Sequence, residues 1–286
     1  MRIKSYFPML SLLFGAFVWG TIWYPYRLMA KAGVSGIFSS LYVFSLTLVI
    51  AFSYFFATKK KVSIWSRNFW VLSLIAGFTN ITYVLAVIEG EVVRVMLLFY
   101  LSPIWTIFLA HFMLKEDTKR RYYLAILISL IGAFIMLWDP KYIIYLKSKS
   151  DWLALFSGLG FAMTNVMTRK FEFMSIDQKA LAIWIGVVVV AIMCIIFGGI
   201  TIPLLDFFKP IDALIMLLIA LSLFFSTLLV QFGVTKIKAV EASCFFLFEI
   251  VVAAISAYLL AGEIITIRAW IGGCMIITGV ILAARN

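Results

Sequence analysis

Charge is scarce in this chain of 286 residues. Asp, Glu, Lys and Arg together make up 13% of it, against about 25% in soluble domains. Apolar residues make up 65%, where soluble chains hold about 45–50%, and the mean hydropathy is +1.11. A soluble fold of this length has too little interior for so much apolar surface, which excludes an ordinary soluble enzyme and a disordered chain. Cysteine is limited to Cys194, Cys244 and Cys274, each inside an apolar run and without paired spacing. They read as small core hydrophobes, and a disulfide framework is excluded. His111 is the only histidine, which leaves no metal cluster and no Ser-His-Asp or Cys-His set. No GxxxxGK[ST] loop occurs, so nothing points to ATP hydrolysis, and no cofactor or metal is expected.

Carboxylates are few as well, 13 against 24 cations, for a formal net charge of +11. The cations are scattered between apolar runs, so no basic domain exists to dock on nucleic acid. In a membrane protein such an excess marks cytoplasmic loops.

What the chain has in quantity is apolar sequence of span length. A bilayer core about 30 Å thick needs about 20 apolar residues per helix. Ten runs qualify: 7–29, 37–57, 69–87, 92–112, 122–138, 152–168, 180–200, 211–233, 239–261 and 269–284. The first run is long enough to span and shows no small-residue cleavage site, so it reads as a retained helix rather than a signal peptide. With the N-terminus inside, sixteen of the 24 cations fall on the cytoplasmic side, from Arg2 and Lys4 to Lys238 and Arg285. Both termini are therefore expected in the cytoplasm. The connections are short, and any function must lie in the bundle or at its mouths.

Two offsets reveal an internal repeat. At 147 residues, Leu114-Lys115-Glu116 lies over Ala261-Gly262-Glu263, Arg121 over Arg268, and Gly132 over Gly279. At 142 residues, Arg27 lies over Arg169. Five spans per half make the halves opposite in orientation, a plan common in secondary transporters. The expected fold is an all-α integral membrane bundle of ten helices as two inverted five-helix repeats, residues 1–143 and 144–286.

Local motifs sharpen this. Trp19-Gly20-Thr21 is followed by Arg27, Pro103 sits mid-span ahead of Lys115-Glu116, and Phe248-Glu249-Ile250 precedes Gly262-Glu263. In this order the pattern resembles the drug/metabolite transporter superfamily, EamA type, over essentially the whole chain. Two departures stand out: Ile250 where the family often has Pro, and Lys115-Glu116 where it has Gly-Glu. The resemblance implies a secondary transporter working by alternating access, an exporter of small metabolites such as amino acids or related compounds. It also implies a cavity lined by spans 1, 3, 4, 6, 8 and 9.

On those spans the candidate cavity residues are Trp19, Trp23, Tyr26, Asn80, Tyr83, Tyr100, Ser102, Pro103, Asn165, Ser226, Gln231 and Glu249. Trp19, Trp23 and Tyr26 share one helix face at i, i+4 and i+7. A pocket of rings and a few polar groups suits a small organic molecule better than a bare ion. Glu249 is the most informative: a mid-span carboxylate costs about 2.5–3.5 kcal/mol on insertion scales and faces a bundle interior or wet cavity. It reads either as a proton-coupling or substrate group, or as a hydrogen-bonded tie between helices. Arg27 and Arg169 close their helices, where snorkelling competes with a role as gates. Glu116 and Glu263 read as caps or bridges. The expected partners are a small-molecule substrate, the lipid bilayer and protons. The expected location is the cell membrane, the inner membrane in a bacterial cell. An intramembrane enzyme acting on a lipid-linked substrate is the alternative, and it lacks a catalytic pair. A receptor or assembly role would call for a soluble or tail segment.

Overall fold

A computed structural model describes residues 6–31, 33–90, 92–116, 118–138, 146, 148–198, 210–262 and 264–285. Arg2, Lys4, Lys141, Lys147, Lys209 and Glu263 lie outside them. Among the described residues all regular structure is helical. The helices are α1 (Phe7–Lys31), α2 (Gly36–Ala57), α3 (Arg67–Glu89), α4 (Val92–Phe99), α5 (Ser102–Leu114), α6 (Arg120–Leu137), α7 (Lys149–Lys170), α8 (Ile176–Gly198), α9 (Pro210–Lys236), α10 (Ala239–Phe246), α11 (Phe248–Ala261) and α12 (Ile267–Ala284). Each of the ten expected runs is occupied, but the fourth and ninth are broken rather than continuous, α4 with α5 and α10 with α11.

Nine stretches among the described residues are long and apolar enough to cross a membrane. The remaining helix, α7, carries Asp151, Ser157, Thr164, Asn165 and Thr168, all buried. It packs on α3, α4, α5 and α9, so its polar side chains meet protein rather than lipid. Its start is fixed by a capping box between Ser148 and Asp151.

Small residues set the closest helix seams, as membrane packing requires where no hydrophobic force draws helices together. A Cβ on Gly132 of α6 would stand 2.6 Å from the Gly272 carbonyl of α12, and one on Gly279 would stand 2.7 Å from the Ala125 carbonyl. Residue numbers rise in one helix as they fall in the other, so these equivalent helices of the two halves run antiparallel. Gly132 and Gly279, matched in the repeat, both serve this seam. A Cβ on Gly273, by contrast, would meet nothing within 4 Å. Of the cysteines, Cys244 is buried, Cys194 half-buried and Cys274 exposed, so Cys274 is no core residue. The halves also exchange neighbours: α1 lies on α9 and α11, while α7 lies on α3 and α5.

Candidate functional site

The two breaks fall at one place in the repeat. Tyr100-Leu101 separates α4 from α5 and Leu247 separates α10 from α11; Tyr100 and Leu247 are 147 residues apart. In the first, Pro103 has no N–H to offer the carbonyl of Phe99, four residues earlier. That carbonyl instead faces Gly158 of α7, where a Cβ would stand 2.7 Å from it. The second break forms without a proline. Leu247 keeps right-handed backbone angles, φ −61° and ψ −19°, and Ile250 N–H bonds to the Leu247 carbonyl at 3.2 Å, a tightening of the turn to three-residue spacing. Ile250 in place of proline therefore leaves the discontinuity intact. Gly20 of α1 closes on this turn, a Cβ there standing 2.8 Å from the Glu249 carbonyl.

Between the breaks, aromatic rings converge. Trp19 meets Phe161 at 5.8 Å between centroids and Phe246 at 5.6 Å. Phe161 meets Phe246 at 5.2 Å and Phe99 at 5.4 Å. Phe99 meets Tyr83 at 4.9 Å and Tyr100 at 5.4 Å. These spacings are those of favourable edge and tilted ring contacts. The repeat explains the arrangement: Phe99 and Phe246 are 147 residues apart, and Trp19 and Phe161 are 142 apart. Equivalent positions in inverted halves meet at the axis that relates them.

Glu249 joins this set in the first turn of α11. Tyr100 and Tyr83 both lie close enough to its carboxyl group to feel its charge. The residue lies ten positions after the start of α10 and twelve before the end of α11, about 15–18 Å from each end. Glu249, Trp19, Tyr83 and Phe161 are each only half-buried, so each keeps some accessible surface at this depth. Of the candidates named from sequence, Trp19, Tyr83, Tyr100 and Glu249 are brought together. Phe99, Phe161 and Phe246 were missed, although the two repeat offsets mark all three as partners.

Trp23 donates its indole N–H to Ser256 at 2.9 Å, and Ser256 donates to the Gly20 carbonyl at 2.8 Å, fastening α1 to α11. Tyr26 turns toward Ser40 of α2. Asn80 lies one turn before Tyr83 with its Oδ1 buried and without a partner. Ser102 and Pro103 are buried in the first turn of α5. Asn165 is buried in α7. Ser226 bonds back to the Leu223 carbonyl at 3.4 Å. Gln231 accepts from the Thr168 hydroxyl at 2.9 Å, a tie between α9 and α7.

Polar latches occupy the two ends of the bundle. Where α1 begins, Arg169 Nε donates to Glu116 at 3.0 Å, and its guanidinium also donates to the Thr235 carbonyl. The second Glu116 oxygen accepts the Ala239 N–H at 3.2 Å, at the start of α10. Lys179 donates to the Thr235 hydroxyl at 2.8 Å. Arg169 is thus an inward tie, and Glu116 both bridges and caps. At the same end Lys60 bonds Asp177 at 2.7 Å; this bond holds its ammonium above the usual lysine range. At the opposite end Arg94 grips Asp151 in a fork, Nε to Oδ1 at 2.5 Å and Nη2 to Oδ2 at 2.8 Å. Arg27 is exposed there, its guanidinium 6.0 Å from the Trp23 ring. The fourth and sixth spans are therefore latched to each other at both ends.

The geometry matches known proteins. A crystal structure of another protein superposes with a TM-score of 0.79 at 14% identity, covering 96% of each chain; the two share a fold. An uncharacterized transporter of Archaeoglobus fulgidus is 24% identical over 242 residues, 77% of each chain. The profile of the EamA-like transporter family matches twice, over residues 7–138 and 148–285. Two matches that together take in nearly every residue leave one assignment: this multi-pass membrane protein belongs to the EamA-like transporter family.

Proposed function

We propose that the chain is a secondary transporter of small organic metabolites of amino-acid size, with its substrate site at the rings around Glu249. The observation that carries this is the position of that site. It lies mid-depth, between the inverted halves, at the breaks of two equivalent helices, which is where such transporters bind their cargo. Alternating access follows from rocking one bundle of helices, drawn from both halves, against the other. The Arg94–Asp151 and Arg169–Glu116 pairs would carry the fourth and sixth spans as one body, while α1 and α11 shear at the Gly20 and Ser256 contact. Glu249 is the group to carry a coupling proton when substrate is absent. The repeats divide near residue 143, in keeping with the two family matches. The charge asymmetry of the loops supports both termini in the cytoplasm of the cell membrane, and the family resemblance supports export.

The test is purified protein in liposomes, screened for uptake of amines, amino acids, nucleosides and vitamins with and without a pH gradient. One solute should accumulate only in protein-containing vesicles and faster with the gradient. If no solute moves faster than in empty vesicles, the reading falls. An enzyme acting on lipid-linked substrates is less well supported, because Glu249 has aromatic neighbours rather than a second catalytic group.

A further inference from the structure

We infer that the box around Glu249 selects organic cations, amines or quaternary ammonium compounds, over amino acids and organic anions. This rests on the site proposed above and names the charge of its substrate. Three observations point the same way.

The first is the wall. Trp19, Tyr83, Phe99, Tyr100, Phe161 and Phe246 form a continuous chain of ring contacts, each step 4.9–5.8 Å. They come from five spans, so the chain of rings crosses the bundle from one half to the other. Ring faces carry negative potential and attract a desolvated cation, and cages of this kind recognise quaternary ammonium groups.

The second is the charge inside the wall. Glu249 contributes a half-buried carboxyl group with Tyr100 and Tyr83 beside it. A buried carboxylate is costly unless a positive charge compensates it. A bound ammonium group supplies that charge and leaves the site neutral.

The third is the placement of the protein's own cations. Among the described residues, those reaching inward stand at the bundle's ends: Arg94 on Asp151, Arg169 on Glu116, Lys179 on Thr235. Arg27 is in the last turns of α1, eight residues beyond Trp19, about 12 Å along the helix. A zwitterionic amino acid would bring a carboxylate into a box that already holds one and is walled by negative ring faces. That arrangement repels the second carboxylate.

The experiment is equilibrium binding to the full-length protein in lipid nanodiscs, by titration calorimetry at fixed pH and salt. Two matched series serve as probes: phenethylamine, phenylalanine and 3-phenylpropionate, and butylamine, 2-aminobutyrate and butyrate. In at least one series the amine should bind at least tenfold tighter than its amino acid and its anion. Glu249→Gln should weaken the amine at least tenfold, and Phe161→Leu, which leaves the carboxylate in place, should weaken it several-fold. Phe161→Tyr should retain binding, because the ring face remains. Equal or tighter binding of amino acid or anion overturns the inference. So does a Phe161→Leu variant with unchanged affinity, or the failure of both amines to bind. Should vesicles transport an anion or amino acid in the earlier screen, the transporter stands and the cation selectivity falls. Should amines bind with this selectivity while no solute is transported, the box stands and the transporter reading falls.

Discussion

Replacing Asp151 with asparagine removes one charge from a pair that has almost no access to solvent. The Asp151 side chain is 1% exposed and that of Arg94 is 17%. Both Arg94 bonds are short, and Asp151 additionally accepts the Ser148 N–H at 3.1 Å. Asparagine keeps the shape and, through its one oxygen, the cap, while it removes the charge and one of the two acceptors of the fork. Breaking a buried pair leaves the surviving ion uncompensated at about 3–5 kcal/mol. The control lies at the same end of the bundle, where Lys149 and Glu89 pair at 3.2 Å with side chains 73% and 37% exposed; such a pair contributes about 0–1 kcal/mol. Unfolding titrations in mixed detergent micelles, followed by circular dichroism, should therefore place Asp151→Asn about 3–5 kcal/mol below the wild type and Glu89→Gln within about 1 kcal/mol of it. A double change of Arg94 and Asp151 to leucine should recover most of the difference, since an apolar pair needs no counter-charge. An Asp151→Asn variant as stable as Glu89→Gln would refute the claim that this latch is a buried ion pair.

Lys115 caps α5 with φ +51°, as Gly262 caps α11 with φ +69°. Lys115→Gly should raise stability by about 0.5–1 kcal/mol in the same titration, because glycine takes left-handed angles without a Cβ penalty; a destabilised variant would contradict this. Gly132→Val should sharply reduce folded yield on size-exclusion chromatography, since its Cβ would press on the Gly272 carbonyl, whereas Gly273→Ala, with open space around it, should elute as the wild type does. Single cysteines at Lys60 or Lys119 in a cysteine-free background should resist an impermeant thiol reagent in intact cells, and one at Lys149 should react. The reverse labelling would invert the proposed orientation.

Much of the bundle was legible because apolar length and charge breaks are one-dimensional signals. The ten runs became helices within four residues at each end. The breaks at Tyr100-Leu101 and Leu247 were not, because the second depends on a turn tightening at Leu247 with no proline to mark it. The site was half legible. Glu249 announces itself as a carboxylate among phenylalanines, and Tyr83 and Tyr100 carry hydroxyls, so all three drew notice. Phe99, Phe161 and Phe246 are three of 27 phenylalanines, and nothing in their own neighbourhoods separates them from lipid-facing rings. Only the repeat offsets do so, by pairing Phe99 with Phe246 and Trp19 with Phe161. Gln231 and Ser226 stand out as polar residues in a span, yet the Gln231 side-chain oxygen accepts from Thr168 and the Ser226 hydroxyl bonds back to Leu223. Arg169 needed the third dimension, since Glu116 lies 53 residues before it.

The central claim is that a solute passes through the box at Glu249. It is tested most directly by counterflow in liposomes, using the solute that passes the uptake screen and comparing wild type with Glu249→Gln at equal amounts of folded protein. Glutamine keeps the size and the hydrogen-bonding capacity toward Tyr100 but cannot carry the charge. The account predicts that Glu249→Gln melts as the wild type does in detergent and loses at least nine-tenths of its counterflow. A Glu249→Gln protein that exchanges solute at the wild-type rate would contradict it.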